Sequence, residues 1–200
     1  MKTRSGIFIY IIAFVVGSVL MGFEMLGSRY LFPYFGGGIG TWAGLISTVL
    51  CALAIGYFVG GMIVDRHPSR YRMAIAIAAA AVYLALVPLA ADLVMGWILN
   101  AIGDGPAGIL LAAVALLLIP LSFLGTLSPM AVRLLLKSTR ETGRVAGLVY
   151  GISTIGNVFG TLFTTFVLIP WIGSRSITYL YAALLALCAA TLFANARRTA

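Results

Sequence analysis

Residues 6–28 read GIFIYIIAFVVGSVLMGFEMLGS, an apolar run with a single carboxylate, Glu24, inside it. About 20 apolar residues cross the hydrocarbon core of a bilayer as a helix. Within one segment only a helix satisfies its own backbone polar groups there. A carboxylate at that depth costs on the order of 3 kcal/mol or more unless it is paired, hydrated or protonated, so Glu24 is a functional-site candidate. Counted from Phe8 at about 1.5 Å per residue, it lies roughly 24 Å along the span, in the outer third. Gly17, Leu20 and Ser28 share its face at helical spacing. Small residues on that face point it toward another helix. Glu24 is then either a proton site or cation anchor, or a structural residue: hydrogen-bonded in packing, or ion-paired, with Arg29 just beyond it in reach only if the helix end distorts.

The rest of the chain is the same kind of material. Of 200 residues, 62% are hydrophobic and only 9% charged, against roughly 25% charged in soluble domains. Six segments are long and apolar enough to span: residues 6–28, 42–64, 73–91, 107–127, 145–171 and 177–194. The expectation is an all-α, polytopic membrane protein with one six-helix domain over residues 1–200. Pro33 and the glycines of FPYFGGGIGT (32–41) predict a turn after the first span, and residues 92–106 predict a second outer loop. Ser128-Pro129 reads as a cap and first helical position for a short basic helix at 130–137. A bent extension of the fourth span reads equally well. No internal repeat is evident.

The net charge of +8 marks topology. With Lys2 and Arg4 placed inside, the connections carrying Arg66, Arg70, Arg72, Arg133, Lys137, Arg140 and Arg144 also fall inside, as do Arg197 and Arg198. Only Arg29 and Arg175 fall outside. This positive-inside pattern predicts both termini in the cytoplasm. It also argues against nucleic acid as a partner, because the basic residues do not form one exposed surface. The first span is too long for a signal peptide and is expected to be retained. Cys51 and Cys188 lie mid-span as packing residues. The lone histidine, His67, reads as a solvated loop residue.

The fifth span carries the second signal. Tyr150, Ser153, Thr154, Asn157, Thr161, Thr164 and Thr165 fall within an arc of roughly 120°. That arc either lines a wet cavity or bonds to neighbouring helices, and serine and threonine can also bond back to their own helix. Asn157 is the strongest member, since a buried amide cannot satisfy itself locally. Glycines four apart (Gly56 and Gly60, Gly147 and Gly151, Gly156 and Gly160) predict close helix contacts on the second and fifth spans.

At the end of the second span stands GGMIVDRHPSRYR (60–72). The G-x-x-x-D-R pattern and its basic run resemble the loop between the second and third helices of a major facilitator half. The match runs through Gly61, Asp65, Arg66, Arg70 and Arg72. Pro68-Ser69 replaces the glycine-containing turn usual there. In that superfamily the motif helps latch the inward-closed state. FEMLGSRYLFPYFG, GYFVGG, LSPMAVRL, TGRVAGLVYGISTIGNVFGT and LIPWIGSR are similar to the membrane portion of fused major-facilitator/spermidine-synthase-like proteins. The resemblance implies membrane architecture and not synthase chemistry, because no glycine-rich nucleotide loop follows a strand here.

No serine-histidine-acid group, metal-ligand cluster or phosphate-cradling loop is present in the sequence, so neither an enzyme nor a cofactor is expected. The leading expectation is a transporter unit in a bacterial inner (plasma) membrane. Two six-helix copies would form a homodimer and move a small cationic or polar solute, amine- or polyamine-like. Glu24, Asn157, Ser153, Thr154, Tyr150 and Arg29 are the candidate solute- or proton-binding residues. The competing reading is a non-transporting scaffold for a separate synthase-like protein.

Overall fold

The computed structural model describes residues 2–66, 68–136, 138 and 141–197, with side chains between residues 6 and 196. His67, Lys137 and Arg140, and the side chains of Lys2, Arg4, Arg197 and Arg198, lie outside the described residues. Those residues form six helices long and apolar enough to cross a membrane, and no strand. They are α1 (Lys2–Phe35), α2 (Ile39–Arg66), α3 (Arg70–Ile102), α4 (Pro106–Leu135), α5 (Thr142–Trp171) and α6 (Ser174–Arg197).

The helices run longer than the sequence reading allows. The turn expected from Phe32 is confined to Gly36–Gly38, and Pro33 lies inside α1. A proline there removes one backbone donor close to a helix end, where few turns remain to be disturbed. Gly36 (φ 70°) takes the left-handed conformation, and its N–H reaches the Phe32 carbonyl at 3.0 Å. The loop expected over 92–106 shrinks to Gly103–Gly105, because α3 continues for 33 residues through Pro88 and Asp92. It stops at Gly103 (φ 92°), whose N–H closes on the Leu99 carbonyl at 2.9 Å. At its start the Ser69 hydroxyl accepts the Tyr71 N–H at 3.2 Å. Ser128-Pro129 caps nothing: both residues are inside the last segment of α4, Leu127–Leu135, which follows Ile119–Gly125 with only Thr126 between them. The bent extension is the form adopted.

α4 and α5 share a feature that the sequence reading passed over. Each contains one π-helical turn, Val114–Leu118 and Thr164–Leu168. Each turn is followed by Ile-Pro, in LLLIP (116–120) and FVLIP (166–170). A proline ring clashes with the carbonyl four residues back, and a wider turn relieves the clash. Polar groups freed by such a turn need partners in hydrocarbon. Tyr83 of α3 donates its hydroxyl to the Ala115 carbonyl in the first turn. In the second, Thr164 donates to the Gly160 carbonyl at 2.5 Å and is bonded to the Tyr181 hydroxyl of α6.

α1 is the axis of the packing. It lies parallel to α5, with Gly156 against the Phe14 backbone and Gly160 against that of Ser18. α2 is drawn onto α4 in the same way: a methyl group added at Gly60 would stand 2.7 Å from the Thr126 Cα. The glycine pairs 56/60 and 156/160 therefore serve as expected. Gly147 and Gly151 do not; they face open space. α5 and α2 keep most of their surface outside the bundle, with 22% and 28% of their most apolar stretches buried, against 50% for α1 and α3.

The two ends differ in charge. Tyr71 at the start of α3 packs on Phe193 near the end of α6, with ring centroids 5.1 Å apart. Gly6 faces Leu135, and Asp65 shares a cleft with Arg133. The chain's two ends, the α2–α3 connection and the end of α4 therefore gather at one end of the bundle. At the opposite end Arg175 forms an ion pair with Asp92.

Two glycine substitutions test the packing. Gly160→Val is expected to cost about 1–3 kcal/mol by overpacking. Gly147→Val, which meets open space, is expected to stay within about 0.5 kcal/mol. Unfolding titrations in mixed micelles, followed by circular dichroism, measure both.

Candidate functional site

Glu24 is buried on α1, 7% exposed, and no hydrogen bond or ion pair reaches it among the described residues. Arg29 does not serve as its partner. Five residues along a helix is a rotation of about 140°, and Arg29 is exposed. The stripe that carries Glu24 also carries Gly17, two turns earlier, and Gly17 faces α5. A methyl group on Gly17 would stand 2.9 Å from the Asn157 Oδ1. Glycine at 17 is what lets the amide approach.

The polar arc of α5 divides its work. Asn157 Oδ1 is buried with no hydrogen-bond partner, and so is Thr165 Oγ1. Thr161 donates to the Asn157 carbonyl at 3.0 Å, and Thr164 bonds back to Gly160. Ser153 and Asn157 line a void of about 20 Å³ with Gly17, Leu20, Tyr57 and Ser128. That is room for about one water. Thr154 is exposed and belongs to another face. Tyr150 is 43% exposed, and its ring meets Tyr57 of α2 edge to face at 6.3 Å and 87°.

Because Phe14 lies beside Gly156, Ser18 beside Gly160 and Gly22 beside Thr164, the parallel helices keep one register. Glu24 therefore sits at nearly the same depth as the unpartnered Thr165 hydroxyl, about two turns beyond Asn157. It lines neither the void nor the cleft described next. The expected binding residues thus fall at two levels: Asn157 and Ser153 at the void, Glu24 further along α1.

A second cavity opens at the charged end. It measures about 290 Å³ and is lined by Gly61, Asp65, Pro129, Arg133, Ala146 and Tyr150 among others. Gly61 and Asp65 of the expected latch motif are on its wall. Arg66 stands exposed at the end of α2, and Arg70 and Arg72 open α3. Among the described residues neither Asp65 nor Arg133 has an ion-pair partner.

The sequence reading took Ser128 only as a helix cap and did not pick out Tyr57, Tyr83 or Tyr181. Their signal is a tyrosine in mid-span, whose hydroxyl needs a partner when buried. Among the described residues no three histidine, cysteine or acidic side chains meet in a way that could hold a metal. No protein family, curated protein or solved structure matches this chain.

Glu24→Gln separates a structural acid from a functional one. Since Glu24 has no partner to lose, the substitution is expected to change stability by less than about 1 kcal/mol, as read from thermal or denaturant unfolding. A loss of about 3–5 kcal/mol is what breaking a buried ion pair would give.

Proposed function

We propose that this chain is one half of a two-fold membrane transporter, in which two six-helix copies act together as a homodimer resembling a major facilitator. The observation that carries this reading is the buried, unpartnered carboxylate of Glu24, on the same helical stripe of α1 as Gly17, with the unpartnered Asn157 amide that Gly17 meets on α5. Polar groups persist at membrane depth without partners when they serve a ligand, an ion or a proton. The outward faces of α2 and α5, with Gly151 open, support a second copy packed there. Such a dimer would enlarge the small polar void into a shared chamber.

The solute is a small cation or polar molecule, amine- or polyamine-like, because Glu24 is an acid and Asn157, Ser153 and Tyr150 offer neutral oxygens. Proton exchange at Glu24 supplies the coupling. The basic end faces the cytoplasm, following the positive-inside rule, in a bacterial inner membrane. Asp65 and the arginines Arg66, Arg70 and Arg72 act there as a latch between copies.

Purified protein in liposomes, tested with a panel of amines, checks this reading. A transported amine at 100 times its Kd stabilises the fold by about 2.7 kcal/mol, seen as a rise of several degrees in Tm. Glu24→Gln is expected to abolish both that shift and uptake, with dimer mass by native mass spectrometry unchanged. No shift and no uptake with any amine, together with capture of a soluble synthase-like protein, would favour the scaffold instead.

A further inference from the structure

The central void and the charged-end cleft are two stretches of one seam. On α2 the void is lined by Tyr57 and the cleft by Gly61, four residues on. On α4 the boundary falls between Ser128 and Pro129, and on α5 between Ser153 and Tyr150. On all three helices the step is about one turn or less, roughly 5 Å. A single layer of side chains separates a cleft of about 290 Å³, with Asp65 and Arg133 at its mouth, from the void at Asn157. In that layer the rings of Tyr57 and Tyr150 meet edge to face.

We propose that Tyr57 and Tyr150 are the gate of a single polar track running from the charged end of the bundle to Asn157. Three observations support this assignment. Neither hydroxyl has a hydrogen-bond partner, whereas Tyr30 is tied to Thr178, Tyr83 to Ala115 and Tyr181 to Thr164. Both rings are partly outside the bundle, 39% exposed for Tyr57 and 43% for Tyr150. Helical side chains lean over the preceding turn, and three residues before Tyr150 stands Gly147, beside which nothing lies within 4 Å. The Tyr150 ring can fold onto that bare backbone. With the rings together the void is closed; with Tyr150 folded back, void and cleft become one water-filled passage. The gate deepens the transport reading, but it is a statement about access and stands or falls without any solute.

Thiol reactivity in lipid nanodiscs tests it. In a Cys51→Ala, Cys188→Ala background, Ser153→Cys reports on the void and Ala146→Cys on the cleft. The probe is the small cationic reagent 2-(trimethylammonium)ethyl methanethiosulfonate, and the rate is read by intact mass spectrometry. Ala146→Cys is expected to react fast whatever stands at 150. Ser153→Cys is expected to react slowly with both tyrosines present. A minor open state is populated at about 0.1–10%, so adding Tyr150→Ala should speed the reaction about tenfold or more. Tyr150→Phe, which keeps the ring, should leave it slow. Tyr150→Leu and Tyr57→Ala repeat the comparison if Tyr150→Ala yields no folded protein. The proposal is overturned if Ser153→Cys matches the Ala146→Cys rate with both tyrosines in place. It is equally overturned if Ser153→Cys stays slow in every folded gate variant. Acceleration without amine uptake keeps the gate and rejects the transport reading.

Discussion

The contact between α1 and α5, backbone against backbone, is the constraint from which the site follows. Gly156 and Gly160 carry no side chain where Phe14 and Ser18 come closest. In a bilayer there is little hydrophobic gain from bringing helices together, so close fit and shared polar contacts must do it. The same closeness sets Gly17 opposite Asn157 and fixes the register that puts Glu24 level with Thr165. A side chain at 156 or 160 would move all three groups at once.

Satisfying polar groups in a medium without water explains the rest of the interior. Thr48, Ser122 and Thr161 bond back to carbonyls of their own helices. The two π turns are met by tyrosine or threonine hydroxyls from inside the bundle. Against that background the exceptions stand out. Asn157 Oδ1 and Thr165 Oγ1 are buried and unmatched, and Glu24 has no partner. These are costly positions for polar atoms, and they lie on α1 and α5 at two levels about two turns apart. The unanchored tyrosines 57 and 150 stand beside one of them.

Hydropathy made the six helices readable, because a membrane span is a long and nearly uniform signal. Their ends were less readable. Pro33 and Asp92 look like boundaries in a water-soluble chain, yet in α1 and α3 they are carried inside helices that continue past them. The importance of Glu24 and Asn157 was visible from residue type and depth alone. Which polar residues of α5 meet a cavity was not, since Ser153 and Thr154 are neighbours and only the tertiary packing says which faces inward. The tyrosine pair was hidden for the same reason: its meaning depends on α2 and α5 converging, and their sequence separation gives no hint of that. The helix ends that carry Arg66, Arg70, Arg72 and Arg133 gather at one pole of the bundle.

The length of α3 has a mechanical consequence. Its 33 residues extend about 50 Å, while the hydrocarbon layer is about 30 Å thick. The surplus must be taken up by tilting, by a locally thickened bilayer, or by a stub standing in the headgroups. Asp92 and Arg175 pair well short of its far tip, and the turns of α3 beyond that tie still bury Met95 and Ile98 in the bundle. A helix of this kind gauges the thickness of the sheet around it, and lipids of different chain length would push on the bundle through α3 before they touched the acid on α1.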